Sequence, residues 1–580
     1  MPRPRAGLLL PLFLFLQGCG GGDPLPSPGG GAGEPGSPGA AEFGLPWTGL
    51  SSPPDPLLSL DRYREDLRTL SSDAFEGRAP SSPGEERTVA YLIEAFQAAG
   101  LEPGNRGSWT QEVPLVALRV RGAPAMTMTR AGSTRELAYG VDQVAWTTRV
   151  VEEEGVEGSE LVFVGYGVVA PEYDWDDYAG VDMAGKTALI LVNDPGYALG
   201  GPELFRGEAM TYYGRWTYKF EEAARQGAAG ALIIHETGPA GYPWEVVTGS
   251  WTGPQFDLVA EDNNMSRLQV EGWLTTEAAR TVLAEAGEEL EELRVRALSG
   301  DFRPLPLGTE LSLRLQNEIR RSTSNNVVAR LAGRERPDEV VVYMAHWDHL
   351  GRTPDFVDDG IFNGAVDNAS GTAALLELAR AFAALEPAPA RSVLFLGVTA
   401  EEQGLLGSAW YAANPAFPRT RTVAAINMDG MNVDGPMRDI TVVGYGNSEL
   451  DDLVERVAEE AGRRVREDPE PEKGFFYRSD HFSFAREGIP ALYTNPGIDH
   501  VEHGEAWTLA RRADYTANRY HKPADEFDPG WDLSGALDDM VLLFRVGWLL
   551  AESGSWPEWR EGNEFRAVRE AEMGGGAPGR

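Results

Sequence analysis

From residue 324 to residue 429 the chain repeats one pattern, a run of apolar residues, then a loop, then a helical stretch. The runs are NNVVARL, EVVVYMA, RSVLFLGV and TVAAIN, with helical segments at 371–385 and 407–413 between them. Strands that are apolar at consecutive positions have to be buried on both faces, and helices packed on each side are what bury them. The pattern therefore predicts an α/β fold with a mixed, mostly parallel sheet sandwiched by helices. In such sheets ligands sit beyond the carboxyl ends of the strands. Each run here ends on polar residues of that kind: His346 and Asp348, Glu401 and Glu402, and Asp429.

At 580 residues the chain exceeds one ordinary domain. It opens with Arg3 and Arg5, an apolar run over 8–16, and Cys19. The run is too short to span a bilayer and reads as an export signal. Leu16-Gln17-Gly18-Cys19 resembles the lipobox of bacterial lipoproteins, which implies cleavage before Cys19, lipidation of its thiol, and an exported protein of the cell envelope held to a membrane. Cys19 is the only cysteine, so no intramolecular disulfide is available. The parts expected are a signal at 1–19, a flexible Gly/Pro-rich linker at 20–55, the first piece of the main domain at 56–123, an insert at 124–306, the rest of the main domain at 307–555, and a tail at 556–580. Helices are predicted after Ser59, over 85–99 and over 533–551, from apolar residues at helical spacing.

The insert changes texture to short β-rich runs punctuated by glycine: ELVFVGYGVV, KTALILVND, a helix through FEEAARQG, then AAGALIIHE. This order resembles the protease-associated domain, a small β-rich module, and the resemblance implies a lid or substrate-restricting role without catalysis.

The series HWDH, DNASG, EEQGLLGS, NMDG and finally YH followed by PADE, together with LSSDAFEGR and the SPGEERTVAYLIEAFQAAGLEP segment, resembles the zinc aminopeptidase and glutamate carboxypeptidase group, peptidase family M28. The resemblance implies a zinc exopeptidase fold with two zinc ions per chain. His346, Asp367 and Asp429 would hold one; Asp367, Glu402 and His521 would hold the other, with Asp367 bridging. Zinc accepts imidazole nitrogen and carboxylate oxygen, and three protein ligands per metal leave room for water. A hydroxide shared by the two ions would attack the peptide carbonyl, with Glu401 as general base, Asp348 orienting His346 and Tyr520 stabilising the oxyanion. The family also implies a cis peptide at Asp367-Asn368.

Terminal peptide bonds of peptide substrates are the expected target, an aminopeptidase first and a carboxypeptidase or dipeptidase second. Glutaminyl cyclisation uses one zinc and fits poorly with a complete second ligand set. A non-catalytic binding protein, as the transferrin receptor is in this superfamily, would have lost ligands. A formal net charge of -38 excludes nucleic acid as a partner. Among the seven histidines, His349 and His481 are read as structural or rim residues, His500 and His503 as part of a solvated loop, and His235 as structural.

Overall fold

Helix α1 (Leu60–Leu70) begins where the Ser59 hydroxyl accepts the backbone N–H of Arg62, an N-cap for an otherwise unpaired amide. Tyr63, Leu67 and Leu70, on one face at helical spacing, are fully buried. The coordinates are a computed structural model that describes residues 52–201, 204–353 and 359–574. The signal, Cys19 and the linker up to residue 51 lie outside the described residues. Helix α2 (Pro83–Ala98) is capped by Ser82 and ends before Gly100, whose φ of 83° places it in the left-handed region.

Strand β1 (Thr110–Val120) precedes the insert, and the chain returns on β2 (Leu305–Leu331). Then follow β3 (Arg336–His346), α3 (Gly371–Ala383), β4 (Arg391–Val398), α4 (Leu406–Ala413), β5 (Thr422–Asn427), β6 (Asp439–Val442), α5 (Leu450–Glu460), β7 (Ala491–Pro496), α6 (Glu505–Asn518), α7 (Ser534–Glu552) and α8 (Arg566–Met573). The main sheet runs β1-β2-β4-β3-β5-β7-β6. Its centre, β4-β3-β5-β7, is parallel, while β1-β2, β2-β4 and β7-β6 are antiparallel.

Alternate residues of β3 serve two cores. Val341 and Tyr343 join α1, α2, α3 and α7 on one face, and Val340, Val342 and Met344 meet Tyr411, Phe484 and Ile489 on the other. At roughly 1.5–3 kcal/mol for each large apolar side chain fully buried, this two-sided burial is what holds the register. In that register His346 is level with Val398, and Asn427 with Met344 and Tyr493. The loops after β3, β4 and β5 therefore open at one edge of the sheet.

The insert has its own sheet, built on parallel strands 187–191, 230–235 and 270–275 with helices packed against it. Strand β2 belongs to both sheets: its first part pairs with 126–130 and 153–163, and from Asn317 it pairs with β1. The handover falls near residues 120 and 317, later on the return side than the expected boundary at 306.

The expected tail is corrected in its described part. Trp559 and Phe565 are buried, the Trp559 indole donates to the Gly488 carbonyl at 2.8 Å, and α8 docks beyond them. Two large aromatic residues in a short stretch carry enough apolar surface to fold it back. No helix among the described residues is long and apolar enough to cross a membrane.

Candidate metal centre

His346 ends β3 with 1% of its surface exposed. Its Nδ1 lies 3.2 Å from the main-chain carbonyl of Asp348. A carbonyl only accepts, so Nδ1 carries a proton, and Nε2 faces Asp367 Oδ1 at 3.4 Å and Asp429 Oδ1 at 3.3 Å. His521 comes from the far side of the chain, after α6, with a left-handed φ of 54°. Its Nε2 is 3.1 Å from both Asp367 Oδ2 and Glu402 Oε2. Asp367 thus presents one oxygen to each histidine. The Asp367-Asn368 peptide is cis. Asn368 Oδ1 accepts the backbone N–H groups of Gly371 and Gly430, which ties the start of α3 to the loop carrying Asp429.

The two adjacent glutamates diverge. Glu402 is buried, and its second oxygen takes the Nδ1 of His349 at 2.5 Å. Glu401 is half-buried and turns to the other side, where its ligand atom lies within 4.8 Å of those of His346 and Asp429. Tyr520 stacks on the His521 ring with centroids 3.9 Å apart.

Asp348 acts differently from the expectation. Its carboxylate is 3.9 Å from His346 Nδ1, and it instead accepts the Glu401 backbone N–H at 3.2 Å. The main chain of Asp348 orients the imidazole, and its side chain holds the loop of Glu401. The reason is the loop's turn after β3, which brings the carbonyl closer than the carboxylate.

Several contributors were given no part in the centre from the sequence. His349 is fully buried against Glu402, so the rim reading is corrected. Ser479 donates to Asp429 Oδ2 at 2.6 Å and is itself held by Asn427 at 2.7 Å. The Asp525 carboxylate receives the backbone N–H groups of Val366 and Asp367. His349 and Asp525 do lie in the quoted segments HWDH and PADE, and Ser479 lies in YRSDHF; polar residues in otherwise apolar surroundings were the available signal. His481 is buried between Phe476 and Tyr493, consistent with a structural role. His500 is buried too, contrary to a solvated loop: its Nδ1 accepts the N–H groups of Glu502 and His503, so it caps its own turn. His235 bonds the Tyr242 carbonyl at 3.0 Å within the insert.

Charge decides what the cluster can hold. Burial works against ionisation of Glu402, yet His521 and then His349 outweigh it and hold the carboxyl down at about 2. Asp367 is buried as well, and hydrogen bonds from His346 and His521 keep it well below the usual carboxylate range. Burial pushes Asp348 up to about 8 and Asp480 up to about 7. No lysine or arginine is ion-paired to Asp367, Glu402 or Asp429 among the described residues, and Asp348 Oδ2 is buried without a partner. Imidazole nitrogens and carboxylate oxygens converging with no lysine or arginine paired to them fit zinc. His346, Asp367, Asp429, Glu402 and His521 are the residues that would hold it.

Residues 326–544 match the model of peptidase family M28. The matched segment contains every one of those five residues. The aminopeptidase NAALADL1 of Mus musculus is 36% identical over 129 residues, which is 21% of this chain and 16% of that protein. The probable glutamate carboxypeptidase AMP1 of Arabidopsis thaliana is 26% identical over 372 residues, 59% of this chain and 47% of that protein. The chain spans less than a quarter of the first curated relatives it matches. Among solved structures, the aminopeptidase from Aneurinibacillus sp. strain AM-1 aligns over 86% of this chain and 95% of its own, with a TM-score of 0.47 and 21% identity.

Proposed function

We propose that the chain is a two-zinc exopeptidase that releases N-terminal residues from peptides, with Glu401 as general base. The observation that carries this reading is Asp367, whose two oxygens face two separate histidine–carboxylate groups. His346 and Asp429 complete one group, Glu402 and His521 the other. Bound zinc supplies Lewis acidity toward a peptide carbonyl. Glu401, held by Asp348 at its backbone, is placed to take a proton from water and return it to the departing amine. Tyr520, fixed by stacking on His521, directs its hydroxyl toward the oxyanion. The half-buried carboxylates of Glu401 and Asp429 lie toward solvent, which favours an incoming ammonium group.

One observation favours a second reading, release of C-terminal residues. Arg215 of the insert and Arg478 lie near each other. Burial, and next Arg215, lowers the Arg478 guanidinium to about 10. A substrate carboxylate would relieve that repulsion.

The insert, read as a protease-associated domain, is proposed to restrict access to the centre; what supports this is its contact with the helix that follows Asp480, where Tyr212 packs on Phe482 at 5.1 Å and Glu221 pairs with Arg486 at 3.0 Å. Cys19 anchors the exported chain to a membrane through lipid, with the enzyme facing outward from the cytoplasm. Cys19→Ser is expected to move the protein from the membrane fraction to the soluble one, and persistent membrane association removes the anchor from this reading.

The deciding experiment is a panel of peptides blocked at the amino or the carboxyl end, assayed with and without a zinc chelator. Cleavage of carboxyl-blocked peptides alone, abolished by chelator, is expected. Cleavage of amino-blocked peptides alone supports the second reading, and activity indifferent to chelator overturns both.

A further inference from the structure

The loop that delivers Asp367 is held at its backbone from two sides by charged residues distant in sequence. Arg78 is 1% exposed. Its guanidinium donates to the carbonyls of Asn363 at 2.6 Å and Gly364 at 2.8 Å, and also to Trp347 at 2.9 Å and Leu70 at 2.7 Å. The Arg78 carbonyl in turn accepts the His349 N–H at 3.3 Å. On the other side, Asp525 takes the N–H of Ala365 on its main-chain oxygen at 3.0 Å. Its carboxylate takes the N–H groups of Val366, at 3.1 and 3.2 Å, and Asp367, at 3.1 Å. The Tyr515 hydroxyl, on α6, donates to the same carboxylate at 3.1 Å.

Carbonyls before residue 365 thus point at a cation, and amides after it point at an anion. The Gly364 carbonyl also accepts the Ala369 N–H at 3.1 Å, but each buried group of this loop left without any partner would cost about 1–3 kcal/mol. The two charged residues also reach from different parts of the chain. Arg78 precedes the insert and touches the loops of His346 and Asp367; Asp525 lies four residues after His521.

We propose that Arg78 and Asp525 are positioning residues that set zinc affinity by clamping the Asp367 loop between the segments that carry His346 and His521. The proposal rests on the reading of the site as a metal centre. Arg78 and Asp525 touch no substrate or reacting atom. They fix where the shared carboxylate sits relative to both histidines, as outer partners of metal ligands do elsewhere.

The test is zinc binding by the full chain, stripped with chelator and titrated against a competing chromophoric chelator, beside thermal unfolding. Asp525→Asn keeps shape but replaces one acceptor by a donor facing an N–H. Arg78→Lys keeps charge but cannot span four carbonyls with one ammonium. Both are expected to bind zinc 10–100-fold more weakly than the wild type. The control is Asp66→Asn, which alters the contacts of Asp66 with Tyr91 and Arg380, neither of which bonds the Asp367 loop. It is expected to lower thermal stability and leave zinc affinity unchanged. Wild-type zinc affinity in Asp525→Asn, or an equal loss in Asp66→Asn, overturns the proposal; should Arg78→Lys not fold, Asp525→Asn decides. A wild type that binds no zinc overturns the metal-centre reading itself, and the proposal with it.

Discussion

Glu401 and Glu402 are neighbours of the same type, and their surroundings give them different work. Both oxygens of Glu402 are engaged, one by His349 and one toward His521, so it is suited to hold a metal and not to shuttle a proton. The Glu401 carboxylate accepts no hydrogen bond from a described residue, while its backbone is fixed by Asp348. Glu401→Gln is therefore expected to retain the zinc content of the wild type and to lose about 10²–10⁴-fold in kcat. Metal analysis and steady-state kinetics on one preparation check this, and near-normal kcat takes Glu401 out of the base role. The five residues proposed as ligands, which the structure does bring together, were legible because each ends an apolar run or sits in a short motif. Arg78, His349, Ser479 and Asp525 were not, since each acts through a contact with a residue remote in sequence, as Arg78 does with Gly364. Asp348 was half legible: its position two residues after His346 placed it at the centre, but only the turn of the loop decided that its carbonyl and not its carboxylate meets the imidazole.

At the scale of elements, consecutive apolar residues identified β3, β4 and β5 and so the edge at which the site opens. The helices at 60–70, 83–98 and 534–552 fall close to where periodicity put them. Boundaries set by pairing across the chain were harder to read. Strand β2 runs from one sheet into the other without a break, so no glycine or proline marks the crossing at Asn317; the Asn317 side chain marks it instead, donating to the Val151 carbonyl at 3.0 Å. The 556–574 segment has polar composition and few apolar residues, and the surface that buries Trp559 and Phe565 comes from 476–488 and the insert. Helix α6 matters by what it links: Tyr515 contacts Asp525, and the helix ends at Asn518, with only Arg519 between it and Tyr520 and His521. A shift of this helix would move His521 and the Asp525 contacts with the Asp367 backbone together.

Across the whole molecule, the insert and the M28 segment share one aromatic cluster, in which Phe205, Tyr212 and Tyr218 meet Phe476, Tyr477 and Phe482. The two parts are thus joined by apolar burial and not only by the surface pair of Arg486 and Glu221, which is worth about 0–1 kcal/mol. Both parts also bury carboxyl groups away from the metal centre. Burial pushes Glu271 of the insert up to about 7, against the donors Thr148 and Trp146, and it pushes Asp451 of the M28 segment up to about 7 as well. A carboxyl whose pKa is higher in the folded than in the unfolded chain binds more protons when folded. Its contribution is complete below the unfolded value near 4.5 and is lost as pH rises through 7. For Glu271 that difference corresponds to roughly 3 kcal/mol between the two limits. Glu271→Gln removes the titration while keeping the shape and one acceptor. Thermal unfolding of the wild type and this variant, compared at each pH from 5 to 8.5, isolates the residue from the metal ligands, which titrate equally in both. The variant is expected to gain on the wild type as pH rises to about 7 and to level off above it, because only the wild type has to ionise a buried carboxyl; a difference that stays constant with pH would show that Glu271 is already ionised at the acid end.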